Sequence, residues 1–95
     1  MNAAGELAEL RKAVDRVDAD LAPLLARRFA IVARLAAVKA AGSLPVADPA
    51  REREVSDRAA ALAGDGCADD VRAVYGTIFS RGRDAQLAAI ARRTE

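Results

Sequence analysis

Arg28, Lys39 and Gln86 stand where the helical pattern of this chain asks for apolar side chains. Arg28 interrupts a stripe of leucine, valine and isoleucine, and two readings of it are open. It is either a residue that snorkels or fixes register, or an anion site, because a guanidinium held rigidly between helices matches a carboxylate. Lys39 shares that face, about three turns and 16 Å further along the axis. Alone it reads as a partner for the negative end of a helix dipole. Paired with Arg28, it is placed to hold the other end of one small molecule. Gln86 lies one turn past Gly82, near the apolar face of the last helical segment. It reads as a satisfied amide or as an N–H donor to a buried acceptor, and unlike glutamate it donates without needing a proton. Gly82 costs about 1 kcal/mol relative to alanine inside a helix, which points to a need for space.

Arg11 is the third basic residue near the stripe, about 42 Å from Lys39 along the same helix. No small ligand spans that distance within one chain. Two such helices running antiparallel in a dimer would bring Arg11 of one chain to the Arg28–Lys39 region of the other. Without a dimer, Arg11 belongs to a solvated face. The stretch ADPARERE adds a further charge cluster, with Asp48 and Pro49 at a helix start and Arg51, Glu52, Arg53 and Glu54 in the first turns.

Absences narrow the chemistry. The chain has no histidine and one cysteine, Cys67. Zinc sites of the usual Cys/His kind and nucleophilic Ser-His-Asp or Cys-His mechanisms are therefore excluded. Any catalysis falls to Arg, Lys, Asp, Glu, Gln, Ser, Thr, Tyr or the backbone.

These residues need helices to position them. Leu7, Leu10, Val14, Val17, Leu21, Leu24, Arg28, Ile31, Leu35 and Val38 recur at alternating steps of three and four, the mark of a long helix with one packed face. The pattern predicts a helix from about residue 5 to about residue 40, ending near Ala41-Gly42 with Pro45 beyond. Pro23 removes one backbone donor. Because the heptad keeps its phase across Pro23 and Pro23 falls on the outer face, one bent helix is expected rather than two. Asp48 as N-cap and Pro49 at the first helical position open a second helix that ends near Gly64. A third begins at Ala68-Asp69, with Val71, Val74, Tyr75, Ile78 and Phe79 on its buried face, continued by Gly82, Ala85, Gln86 and Ala89. No strand candidate survives. The expected fold is all-α, three helices in a single domain, residues 1–95.

A core of 95 residues is marginal by itself, which favours association with a second chain. Hydrophobic residues make up 53% of the chain, which excludes disorder, but alanine supplies much of this and buries little area per residue. A net charge of +1 gives no overall basic field for nucleic acid. A lone cysteine suits a reducing compartment. The N-terminal MNAAGELAELRK has no apolar run of signal-peptide length and no segment is suited to cross a membrane, so a cytoplasmic protein is expected.

The segments ELRKAVDRVDADLAPLLARR, VARLAAVKA and LPVADPARERE, followed by a C-terminal helix carrying Gln86, resemble the all-helical chorismate mutases over about residues 5 to 90. The ordered set Arg11, Arg28, Lys39, Asp48, Arg51, Glu52 and Gln86 carries the resemblance more specifically than any one piece. It implies an intertwined homodimer of three-helix chains and the rearrangement of chorismate to prephenate for phenylalanine and tyrosine synthesis, with no cofactor or metal. It further implies that Arg28 and the partner chain's Arg11 clamp two substrate carboxylates, and that Lys39 and Gln86 donate to the ether oxygen. Glu52 and the Asp48 backbone would hold the substrate hydroxyl, and Arg51 would help close the pocket. Gly82 departs from the family, which commonly has serine there; the segment Phe79-Ser80-Arg81-Gly82-Arg83 is more basic than the resemblance implies, and on charge alone Arg81 or Arg83 would compensate in part for the lost hydroxyl. Pro23 is also unusual. Three further possibilities accompany the resemblance: an isochorismate-pyruvate lyase of the same fold, a non-catalytic helical dimerisation or regulatory module, and a mutase that needs an activating shikimate-pathway enzyme.

Overall fold

The computed structural model describes residues 2–93, so Met1, Thr94 and Glu95 at the ends of the expected domain lie outside the described residues. Three helices follow one another: α1 (Ala3–Ala41), α2 (Pro49–Ala63) and α3 (Ala68–Arg93). No strand occurs among the described residues. The chain divides into two compact units, residues 1–30 and 31–95.

The first unit is the N-terminal part of α1. Asn2 caps it, its Oδ1 accepting from the Gly5 N–H at 2.8 Å. Pro23 sits inside the helix and is exposed. The helix continues through it, as the unbroken heptad phase predicts. The missing N–H leaves the Ala19 carbonyl without its usual donor.

The second unit holds the end of α1 and the pair α2 and α3. At the end of α1 the chain turns through two reverse hydrogen bonds, from Leu44 N–H to the Lys39 carbonyl at 2.8 Å and from Ser43 N–H to the Ala40 carbonyl at 3.2 Å. This is the Schellman pattern, which needs a left-handed residue just past the cap. Ser43 carries it, with φ +55°, although Gly42 stands one position earlier.

α2 begins as the sequence predicts. The Asp48 side chain accepts from the Arg51 N–H at 3.1 Å, and Pro49 takes the first helical position. The helix stops at Gly64, whose φ of +87° is one that glycine adopts without strain. After the short turn, α3 packs back against α2 as an antiparallel helical hairpin. Two ion pairs cross it, Arg72 with Asp57 and Arg83 with Glu52. Tyr75 and Phe79 meet edge to face on α3, centroids 5.7 Å apart.

The core is thin. Ala36, Ala60 and Ile78 are its buried apolar residues, joined by Gly82 and Gln86. Val74, expected on the buried face of α3, is exposed. The buried stripe runs through Ile78, Gly82 and Gln86, and burial stops short of Val74, four residues earlier on the same ridge.

All nine apolar positions of the α1 heptad are exposed in the single chain, from 44% at Leu35 to 66% at Val38. No described helix is long and apolar enough to cross a membrane.

Candidate functional site

The second unit gathers most of the residues singled out by type and spacing. Lys39, in the last turn of α1, is half-buried, and its Nζ donates to the Val46 carbonyl at 2.8 Å. Its own carbonyl holds the Leu44 N–H. Lys39 therefore ties down the connection to α2 at both its backbone and its side chain. An ammonium has three N–H donors, and the Val46 bond uses one of them.

Gln86 is 6% exposed, and its Oε1 is buried with no hydrogen-bond partner among the described residues. Leaving such an atom unsatisfied costs about 1–3 kcal/mol. A half-turn of the amide puts the N–H₂ donors in the same place, so the group serves either an acceptor or a donor brought to it.

One turn earlier, Gly82 is buried. A Cβ added there would meet Val32 Cγ1 at 3.5 Å, an ordinary van der Waals distance, and this is the contact within 4 Å once the helix's own backbone is set aside. The glycine therefore does not admit a neighbouring backbone; it leaves room for about a methyl group against Val32. Gly82→Ala is expected to raise stability by about 0.5–1 kcal/mol through helix propensity, read from the urea midpoint at unchanged slope.

Glu52, in the first turn of α2, is half-buried and turned toward α3. Both of its oxygens lie 2.6 Å from a single nitrogen, Arg83 Nη1. Its neighbour Arg51 behaves otherwise. The resemblance has Arg51 close the pocket, but in the single chain its side chain is 54% exposed and bonds Glu54 at 2.6 Å along the surface of α2. Glu54 also takes Arg58 at 3.0 Å. Spacings of three and four residues put these three on one solvated face. Arg53 is exposed, as is Arg81. Asp48 spends its carboxylate on capping α2.

Arg11 and Arg28 lie in the first unit, Arg11 exposed and Arg28 half-buried. Sequence reasoning missed two partners in the second unit, the Val46 carbonyl on Lys39 and the Arg83 guanidinium on Glu52. The second had a signal. With the turn at residues 64–67, an antiparallel hairpin brings the first turns of α2 beside the latter half of α3.

These features define an all-helical chain with a buried amide, a half-buried lysine and a cross-helix carboxylate–guanidinium pair. The chorismate mutase type II family model matches residues 10–87, and the chain belongs to that family. It is 35% identical over 74 residues to the bifunctional chorismate mutase/prephenate dehydratase of Aquifex aeolicus, a match covering 78% of this chain and 18% of that protein. It is 36% identical over 53 residues to the chorismate mutase of Methanocaldococcus jannaschii, covering 56% of this chain and 54% of that one. The chain thus matches about a fifth of the first relative's length and about half of the second's. No solved structure is a significant match.

Proposed function

We propose that this chain is a chorismate mutase, acting in the cytoplasm as a homodimer that rearranges chorismate to prephenate. The observation that carries the reading is the buried Gln86 amide with an unpartnered oxygen, within the family-matched segment that also holds the half-buried Lys39. A buried amide left unsatisfied is costly in a structural role and useful in a binding one.

In the reaction, the ether C–O bond breaks as a C–C bond forms within the same molecule. No external acid, base or nucleophile is needed, which suits a chain without histidine. Two tasks remain for the protein. Arg28 and the partner subunit's Arg11 clamp the two carboxylates and hold the compact conformer in which the reacting carbons meet. Lys39 and Gln86 donate to the ether oxygen, where negative charge grows as the bond breaks, so preorganised donors favour the transition state over the ground state. Glu52 accepts from the substrate hydroxyl with help from the Asp48 backbone. Arg51 closes over a carboxylate once it leaves Glu54, and Gly82 lines the wall.

Purified protein mixed with chorismate is expected to consume its absorbance and form prephenate. Turnover only on adding a shikimate-pathway enzyme would identify an activating partner. Pyruvate release from isochorismate, with no loss of chorismate, would replace the reading with the lyase one.

A further inference from the structure

The geometry points to Arg83 as a positioning residue for the hydroxyl end of the substrate, acting through Glu52; this rests on the function proposed above. Three observations carry it. First, Arg83 holds the carboxylate through one nitrogen placed between both oxygens, at 2.6 Å to each. A carboxylate offers about four lone-pair positions, so this grip fixes the group and leaves positions for a second donor. A two-nitrogen fork would use the same face more completely.

Second, Arg83 directly follows the buried Gly82 and stands one turn before Gln86. The ion pair therefore belongs to the stretch of α3 that holds the buried glycine and the unpartnered amide.

Third, the hairpin does not depend on this pair for closure. Arg72 and Asp57 already join α2 to α3 nearer the turn, with side chains 44% and 69% exposed. The Arg83–Glu52 pair is the more enclosed of the two, at 37% and 27%. An ion pair serving only to fasten two helices has no need to be the more enclosed one, a turn away from the unpartnered amide. One that orients an acceptor does.

Arg83 thus sets where Glu52 waits. The substrate hydroxyl is present in the ground state and the transition state alike, so weakening its acceptor raises KM more than it lowers kcat.

The test compares wild type, Arg83→Ala, Arg83→Gln and Arg72→Ala on chorismate and on its analogue lacking the ring hydroxyl. On chorismate, Arg83→Ala and Arg83→Gln are expected to lower kcat/KM by about tenfold or more, mostly through KM. On the analogue both variants should stay within about twofold of wild type, since the contact they disturb is gone. Arg72→Ala should match wild type on both substrates. Arg83→Gln keeps most of the stem, so it gives the comparison even if the alanine variant folds poorly, which thermal melts followed by circular dichroism would report. Equal losses on both substrates, or an equal loss in Arg72→Ala, would overturn the role of Arg83 while leaving the mutase reading intact. A wild-type protein inert toward chorismate would overturn the mutase reading first, and this one with it.

Discussion

Lys39→Ala is expected to lower kcat for chorismate by about two to three orders of magnitude, with only a small loss of stability. The two effects separate because Lys39 has two jobs. Its bond to the Val46 carbonyl secures the connection between α1 and α2. Val46 is half-buried, so water replaces the lost donor, and the net cost is about 1 kcal/mol. That is roughly a fivefold change in a folding equilibrium, far too little to explain a fall of a hundredfold or more in rate. The remainder belongs to the donors that the Val46 bond leaves over. Among the described residues they bond no other protein acceptor, and in the proposed reaction they meet the oxygen on which charge develops. Stopped-flow turnover beside urea melts of the same preparation distinguishes the two jobs. A rate loss no larger than the population shift would reduce Lys39 to a loop anchor.

Lys39 also shows how far the sequence reaches. Its place near a helix end was legible from the heptad. Its grip on Val46 was not, because that bond depends on the turn after α1. Sequence chemistry favours glycine at a left-handed position past a helix, yet here Ser43 takes it and Gly42 does not. The start of α2 was fully legible, since Asp48 and Pro49 act through neighbours a few residues away. Charges on α2 were harder. Arg51 and Glu52 are adjacent and look alike in the sequence, but one lies along its own helix with Glu54 and the other crosses to Arg83. Only the register of the hairpin separates them. Val74 and Ile78 lie four residues apart on one ridge of α3, yet only Ile78 is buried, a difference that the apolar pattern does not carry.

The α1 heptad poses the opposite case. Its period was plain, and a packed face follows from it, yet the single chain leaves that face open. Completing the burial of a valine, leucine or isoleucine that is half exposed gains roughly 1 kcal/mol. Over the nine seam positions this comes to about 10 kcal/mol per chain and about 20 for a pair. Association costs about 4–15 kcal/mol in lost freedom, so a second copy seated on the seam is stable on this reckoning. An isologous pair, in which the same surface meets itself, also suits one sequence that must serve both sides.

That pairing leads to the other large effect, recovery of activity from two inactive proteins. Arg11→Ala and Lys39→Ala are each expected to lose about a hundredfold or more in kcat/KM when assayed alone. If Arg11 serves the partner's site, each site needs Arg11 from one subunit and Lys39 from the other. In a heterodimer of the two variants, one site then carries both substitutions and the other carries neither. Unfolding the variants together in urea and refolding the mixture makes about half of the dimers mixed, so about a quarter of all sites are intact. Activity should therefore return to about a quarter of that of the same amount of wild type, well above the sum of the two variants alone. Sedimentation should show one dimeric species throughout. Were Arg11 to act on its own chain's site, or not to touch substrate, every heterodimer would keep the defects of its parents' sites and no such recovery would occur. A stable monomer would remove the shared site altogether and leave Arg11 a solvated residue of α1.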